Sequence, residues 1–308
     1  MIEKKKGEKD NNTVLGILAI LFWGSTVAFS RSLTEQLGPI TTGVLIFIFS
    51  GLLSLLFLLI QSPKYLIKMF KLPANYLWGC GSLFVLYMLS LYLAIGLALS
   101  RQQAIEISII NYLWPGLTLL FSVPVLKNRA RFTIIPGIII GFVGVYIAMN
   151  SPHGDASIHH FSENINNNII PYALAFVAAI SWALYSTLSR KWASQNEEGA
   201  VPLFLLITGI ILLVVMVFLK EDSFWNSRVV LELIYMVIFP TFLAYSFWDK
   251  AMRKGNIILV ASLSYLTPIL SVFISSIYLK TNVGFRLWFA SFLVVIGALI
   301  SKYSITES

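Results

Sequence analysis

The pattern of apolar and polar positions divides the chain into ten long apolar runs joined by short polar segments. Each run is close to the roughly 20 residues that an α-helix needs to cross a bilayer. Since the runs are continuously apolar, they favour helices over the alternating strands of a membrane barrel. The ten predicted spans, numbered 1 to 10 below, are residues 13–31, 39–61, 75–99, 104–126, 132–150, 169–190, 200–219, 229–249, 256–279 and 284–303.

One polar connection, residues 151–168, is longer than the others and divides the chain into two halves of five spans each. It is rich in Ser, Asn and His and contains neither Lys nor Arg. The predicted organisation is a first half at 13–150 and a second half at 169–303. Short tails, residues 1–12 and 304–308, flank the two halves.

Composition agrees with a membrane protein. Hydrophobic residues make up 57% of the chain, charged residues 12%, and the mean hydropathy is +0.81. A soluble domain typically carries about 25% charged residues, so the expected fold class is all-α integral membrane. Cys80 is the sole cysteine and the three histidines fall in the 151–168 connection. No metal-ligand spacing is present, and neither a metal nor another cofactor is expected.

The distribution of basic residues predicts an orientation. If the chain crosses ten times, 16 of the 22 Lys and Arg residues lie on the side of the N-terminus and 6 lie on the other. The positive-inside rule then places both termini in the cytoplasm and the 151–168 connection in the periplasm. Because the basic residues lie between apolar runs, the net charge of +8 does not indicate a nucleic-acid partner.

The two halves carry an internal repeat. Tyr112-Leu113-Trp114-Pro115 in span 4 matches Tyr265-Leu266-Thr267-Pro268 in span 9, at an offset of 153 residues. The same offset pairs Tyr92 with Tyr245 and Gly144 with Gly297. Since five is odd, the second half would cross in the opposite direction, which is the inverted-topology repeat typical of transporters. Chance similarity between apolar helices is the alternative interpretation.

Span 4 also carries a resemblance to a known family. Gln103-Ala104-Ile105-Glu106, followed by Asn111-Tyr112-Leu113-Trp114-Pro115, resembles the aromatic amino acid exporters of the YddG type. These belong to the EamA family of the drug/metabolite transporter superfamily. The resemblance implies ten helices in two inverted EamA repeats and alternating access around a central cavity. It also implies export of aromatic amino acids and related small amphiphilic metabolites across a bacterial cell inner membrane.

Aromatic rings and hydroxyls share helix faces in several spans, at separations of three or four residues. Such faces would stack on a flat substrate ring and hydrogen-bond its polar end. Helix packing is the alternative explanation for the same rings. The predicted substrate-binding residues are Trp23, Tyr87, Ser90, Glu106, Asn111, Tyr112, Trp114, Trp182, Tyr185, Ser186, Tyr245, Trp248, Ser264 and Tyr265.

Two prolines are predicted to act in gating. Pro115 and Pro268 are expected to break backbone hydrogen bonds inside spans 4 and 9. They would kink these helices so that the cavity opens and closes, although the freed carbonyls could instead bind an ammonium group. Gly137, Gly141 and Gly144 form a small-residue face by which span 5 is expected to pack against span 10.

Acidic residues near the spans separate the remaining function classes. Glu106 could carry a coupling proton, pair with a substrate amine, or be a solvated carboxylate near a helix N-terminus. Asp249, beside Lys250, is expected at the membrane interface. An exporter of flat cationic drugs is the alternative function, whereas an enzyme is not expected because no span contains histidine. The expected partners are a small-molecule substrate and the lipid bilayer, with the protein a monomer.

Overall fold

The computed structural model describes residues 2–61, 63–99, 103, 107–108, 110–149, 166–218, 221–278 and 285–306. Most of them are helical, which confirms the all-α class. The helices are α1 (Ile2–Gly24), α2 (Thr26–Leu37), α3 (Pro39–Gln61), α4 (Pro63–Met69), α5 (Gly81–Gly96), α6 (Trp114–Leu126), α7 (Ile134–Met149), α8 (Ile170–Ala193), α9 (Val201–Val217), α10 (Ser227–Met236), α11 (Ala244–Lys254), α12 (Ile257–Leu263), α13 (Thr267–Tyr278) and α14 (Phe285–Ser304).

Three short helical segments of other types interrupt the α-helices. Asn75–Cys80 is π-helical and leads into α5, and Val237–Leu243 is π-helical and joins α10 to α11. Ser264–Leu266 is a 3₁₀ turn between α12 and α13. Helices that are interrupted in this way expose backbone carbonyls to neighbouring side chains.

In the described part of the chain, five helices are long and apolar enough to cross a membrane. They are Lys9–Leu37, Pro39–Gln61, Asn75–Gly96, Ile170–Ala193 and Ser227–Lys254. Predicted spans 4, 5, 7, 9 and 10 coincide with shorter apolar helices, Trp114–Leu126, Ile134–Ile147, Val201–Val217, Ile257–Ser271 and Phe289–Ser304.

Both prolines lie inside their predicted spans, at points where the helix is interrupted: a turn precedes α6, and the 3₁₀ segment precedes α13. Pro115 is the second residue of α6, and Pro268 is the second residue of α13. A backbone N–H in the first turn has no intrahelical acceptor, so proline costs least there. The chain therefore begins a new helix at each proline.

Helices of one half pack mainly against helices of the other. α3 packs along α9, and α7 packs along α14. α1 packs along α11 and α13, while α8 packs along α5 and α6. The contact surface between the halves therefore runs through the middle of the protein.

Glycines set the closest approaches between the halves. A Cβ at Gly51 of α3 would lie 2.8 Å from the backbone nitrogen of Leu206, and one at Gly209 of α9 would lie 2.7 Å from that of Ile48. A Cβ at Gly297 of α14 would lie 2.6 Å from Cα of Gly141. The expected glycine-mediated packing of span 5 against span 10 is confirmed, since two backbones touch there.

Regular structure continues beyond the predicted spans at both ends of the described residues. α1 begins at Ile2, so the tail predicted at 1–12 is helical over the residues described. Near the C-terminus, Arg129–Ala130 (β1) pairs antiparallel with Ile305–Thr306 (β2). The backbone N–H of Arg131 also donates to the carbonyl of Ser304, at 2.8 Å. The end of α14 is thus fastened to the connection between α6 and α7.

Replacing Gly297 with Ala tests the backbone contact. The added methyl meets backbone atoms of α7, which cannot rotate away, so the free energy of unfolding should fall by about 1–3 kcal/mol. Gly96→Ala is the matched control, because its methyl would have no atom within 4 Å. Thermal unfolding of the two purified variants in detergent measures the difference, and equal melting temperatures would contradict the contact.

Candidate functional site

Eight aromatic side chains from both halves meet at the centre of the structure and form the aromatic cluster. Their rings are in a continuous network of contacts. Trp23 lies 5.1 Å from Trp248 between ring centroids, Trp114 lies 5.2 Å from Trp248, and Tyr87 lies 4.7 Å from Trp182. The cluster comprises Trp23, Phe84, Tyr87, Trp114, Trp182, Tyr185, Tyr245 and Trp248.

Seven of these eight rings were predicted as substrate-binding residues, and the fold brings all seven together. Each helix presents its rings on one face: α8 contributes Trp182 and Tyr185, and α11 contributes Tyr245 and Trp248. The rings pack mostly edge-on or tilted against one another, and Trp182 and Trp248 are 1% and 0% exposed. Such aromatic pairs stabilise one another by about 0.5–1.5 kcal/mol beyond area burial.

Two indole N–H groups of the cluster are hydrogen-bonded. Nε1 of Trp23 donates to the carbonyl of Pro240, in the π-helical segment of span 8, at 3.0 Å. Nε1 of Trp248 donates to Oγ of Ser186 at 3.1 Å, so the predicted site residue Ser186 holds the indole ring of Trp248 in place. These bonds fix the orientation of rings that would otherwise be held by packing alone.

Asn111 lies beside the cluster and is buried. Its side chain is close enough to interact with the hydroxyl of Tyr87. Its Oδ1 has no hydrogen-bond partner among the described residues, and neither has Oγ1 of Thr267. A buried acceptor without a donor is costly unless something else satisfies it. Thr267, the span 9 counterpart of Trp114, is a candidate that the predicted set leaves out.

The remaining predicted residues take different positions. Ser264 bonds back to the carbonyl of Ala261, at 2.6 Å, and Ser90 is buried in α5. Tyr265 lies against Gly116 and Gly141, and no ring contact joins it to the aromatic cluster in the described part of the chain. Tyr112 is half-buried against the main core. Glu106 lies outside the described residues.

Asp249 is buried within the protein, and its position at the membrane interface stays a prediction. It is 1% exposed, and its Oδ1 accepts hydrogen bonds from the hydroxyls of Tyr76 at 2.8 Å and Tyr185 at 2.9 Å. Its Oδ2 accepts from Nε of Arg253 at 2.7 Å. These four residues form the Asp249 network. A buried ion pair is tolerated when additional hydrogen bonds satisfy both charges, as they do here.

The network connects several segments at one end of the structure. Tyr76 comes from the π-helical start of span 3, Tyr185 from α8, and the ion pair from α11. Arg253 also donates to the carbonyl of Asn196 at 2.6 Å, and Tyr76 accepts from the N–H of Ala200 at 3.1 Å. The i, i+4 spacing of Asp249 and Arg253 was the sequence signal that could have revealed the pair.

A cavity of about 440 Å³ has Arg253 of the network in its wall. Basic groups predominate in its wall, which comprises Lys9, Arg190, Ser194, Gln195, Glu197, Arg253 and Lys254. Nζ of Lys254 pairs with Oε1 of Glu197 at 2.6 Å, and this bond lowers the pKa of the exposed Glu197 carboxyl below its ordinary value. Arg190 donates to the carbonyls of Arg253 and Gly255, the latter at 2.7 Å.

Nothing in the described residues resembles a metal centre. No group of three or more His, Cys, Asp or Glu side chains is close enough there to hold an ion. The chemistry available to the central site is therefore stacking, hydrogen bonding and the charge pair of the Asp249 network.

The curated proteins that this chain is similar to include three named as aromatic amino acid exporters. The chain is 32% identical to the aromatic amino acid exporter YddG of Escherichia coli (strain K12), over 94% of this chain and 95% of that protein. It is 30% identical to the aromatic amino acid exporter YddG of Salmonella typhimurium, over 94% and 95%. The protein of the same description from Ancylobacter novellus is 26% identical over 85% and 87%.

A solved crystal structure shares the fold. It superposes with a TM-score of 0.79 at 24% sequence identity and covers 95% of this chain and 98% of that one. The model of the EamA-like transporter family matches residues 13–150 and again residues 169–303. Those two ranges are the halves that the hydropathy pattern predicts on either side of the 151–168 connection. The chain is a membrane transporter of the EamA-like transporter family.

Proposed function

We propose that this protein exports aromatic amino acids and related small amphiphilic metabolites across the bacterial cell inner membrane by alternating access. The observation that carries the proposal is the aromatic cluster, built from five spans of both halves. Flat aromatic rings offer stacking surface to a substrate ring, and the relatives named as aromatic amino acid exporters match nearly the whole chain.

The proposed topology is ten crossings in two inverted halves, with both termini in the cytoplasm. The packing of the helices supports an exchange symmetry. If each span is replaced by the span five positions away, the pair of spans 1 and 8 becomes 6 and 3, and the pair of spans 4 and 6 becomes 9 and 1. The packed pairs 2 with 7 and 5 with 10 map onto themselves. A two-fold axis in the membrane plane would produce this pattern.

The proposed binding site combines ring stacking with one amide. The substrate ring would stack among Trp23, Trp114 and Trp182, and the buried Oδ1 of Asn111 would accept a hydrogen bond from the substrate ammonium. The helix starts at Pro115 and Pro268 are equivalent in the two halves, which suits them to bend as a pair during gating.

The Asp249 network would close the cytoplasmic side in the conformation described. It binds together the ends of spans 3, 6 and 8, which the charge distribution assigns to the cytoplasm. For substrate to reach the aromatic cluster from the cytoplasm, these ends must separate. An exporter of cationic drugs is less favoured, because Arg253 balances the buried carboxylate of Asp249.

The function is tested by uptake of radiolabelled phenylalanine and tryptophan into proteoliposomes, with and without a proton gradient. The unaltered protein should transport both. Trp114→Ala and Tyr87→Ala should each lower transport by about tenfold, the loss expected for one aromatic stacking partner.

Trp225→Ala is the matched control for that experiment. Trp225 is 55% exposed and has no ring contact with the cluster among the described residues, so its removal should leave transport unchanged. Monodisperse gel-filtration profiles of all variants separate loss of transport from loss of folding. Full transport by both cluster variants would contradict the proposed site.

Alternating access is tested with Cys80, the chain's sole cysteine, as the reporter. Cys80 is fully buried in the π-helical segment that carries Tyr76, with its Sγ 3.7 Å from Oγ of Ser189. Asp249→Asn removes one charge of the buried pair and should favour the open cytoplasmic side. Since about 1.4 kcal/mol shifts an equilibrium tenfold, Cys80 should react with a maleimide at least about tenfold faster.

Glu232→Gln is the control for that measurement. Glu232 pairs with Arg228 at the same i, i+4 spacing and the same 2.7 Å separation, but near the opposite end of span 8. Its loss should leave the Cys80 reaction rate unchanged. Equal rates in the unaltered protein and in Asp249→Asn would rule out a closing role for the network.

A further inference from the structure

In α11, the Asp249–Arg253 pair lies between Trp248 of the aromatic cluster and the cavity lined by Arg253 and Lys254, called the cytoplasmic cavity after its proposed side of the membrane. Asp249 follows Trp248 of the cluster, and Arg253 forms part of the cavity wall. Tyr185 belongs to both groups: its hydroxyl binds Asp249 and its ring lies 5.1 Å from Trp182. The cavity volume of about 440 Å³ is within the usual range for small-molecule sites.

The two side chains present opposite charges at one place, each nearly inaccessible to solvent. Both side chains are 2% exposed, and Nε of Arg253 lies 2.7 Å from Oδ2 of Asp249. In the described part of the chain, Asp249 and the Asn196 carbonyl use two of the five N–H donors of Arg253. A guanidinium with further donors can bind a carboxylate in the two-point geometry that arginine favours.

A molecule with both charges can replace this pair without stranding either one. Its ammonium would take the place of Arg253 at Asp249, and its carboxylate would take the place of Asp249 at Arg253. A cation alone would leave Arg253 unpaired, whereas an anion alone would leave Asp249 unpaired. Either case is strongly unfavourable, because a buried charge would have no partner. Discrimination would therefore come from the penalty on the wrong head group as well as from the contacts of the right one.

The two tyrosines would keep Asp249 in position during the exchange. Hydroxyls of Tyr76 and Tyr185 bind Oδ1, whereas Arg253 binds Oδ2. Departure of the guanidinium thus leaves one oxygen held and the other open to a new donor. The ring of the incoming molecule would lie toward Tyr185 and the aromatic cluster.

We propose that the Asp249–Arg253 pair is a binding site for the charged head group of a zwitterionic amino acid, reached from the cytoplasmic cavity. The proposal rests on the function proposed above. It adds a site that binds the substrate's charged head group before the substrate's ring reaches the aromatic cluster. Closing the cytoplasmic side and recognising the substrate would then be done by the same two charges.

Three probes that share one aromatic ring test the site. They are phenylalanine, which has both charges; phenylalaninamide, which has only the ammonium at a pH where the amine is protonated; and 3-phenylpropionate, which has only the carboxylate. Each is used to inhibit phenylalanine uptake into proteoliposomes. The unaltered protein should prefer phenylalanine to both single-charge probes.

The variants should shift that preference in opposite directions. Asp249→Asn leaves Arg253 as the unpaired charge, so 3-phenylpropionate should gain on phenylalaninamide by about tenfold. Arg253→Gln leaves Asp249 unpaired, and the amide should gain on 3-phenylpropionate by a similar factor. If one variant fails to insert, the opposite shift in the other still decides the matter, because the readout is a ratio between probes.

The Arg228–Glu232 pair supplies the control. Arg228→Gln and Glu232→Gln alter an ion pair of the same spacing on the same span and should keep the unaltered protein's ratios. A purely sealing role for Asp249 and Arg253 predicts that all three probes change in the same proportion in both variants, which would overturn the proposal alone. If the unaltered protein transports no aromatic amino acid, the proposed function fails, and the proposal that rests on it fails with it.

Discussion

The need to satisfy every polar group without water governs this structure. A chain in hydrocarbon must pair its backbone N–H and C=O groups within itself, so the apolar runs form helices. Where a helix is interrupted, another part of the protein covers the gap. The π-helical segment at Val237–Leu243 is one case: the carbonyl of Pro240 in it accepts the indole N–H of Trp23 from the other half. The break in span 8 is thus also a link between the halves.

The same constraint applies to the carboxylate of Asp249 and the guanidinium of Arg253, which lie next to the aromatic cluster. Neither charge could remain there alone. Together with two tyrosine hydroxyls and the Asn196 carbonyl, they form a group in which each charge has a partner. Packing and polarity therefore meet at Tyr185, whose ring belongs to the cluster and whose hydroxyl belongs to the network. A change at this residue affects both.

The sequence predicts the helical class, the position of each apolar helix and the gathering of most of the rings. These follow from hydropathy and from helical spacing, which are local properties. Trp182 and Tyr185 share a face of α8 whatever surrounds it, and once α8 packs against α5 that face meets Tyr87. The glycine face of span 5 could be predicted for the same reason, because close helix packing requires small residues along one helix face.

Features that depend on contacts between distant spans were not predictable in this way. The burial of Asp249 within the protein depends on partners far along the chain, such as Tyr76, which is 173 residues away. Tyr265 was predicted to bind substrate from its local motif, but it packs against Gly116 and Gly141 and has no ring contact with the aromatic cluster among the described residues. The positions at which helices begin, at Pro115 and Pro268, depend on where neighbouring segments can pack against the interruption of the helix.

The contact between Gly141 and Gly297 has a consequence for how such a protein evolves. The backbones of α7 and α14 touch there, so a side chain at Gly141 and a side chain at Gly297 would have to occupy the same space. A larger side chain in either segment would have to be matched by a change in the spacing of both helices. At this crossing, the residue at one position therefore limits which residues the other position can hold.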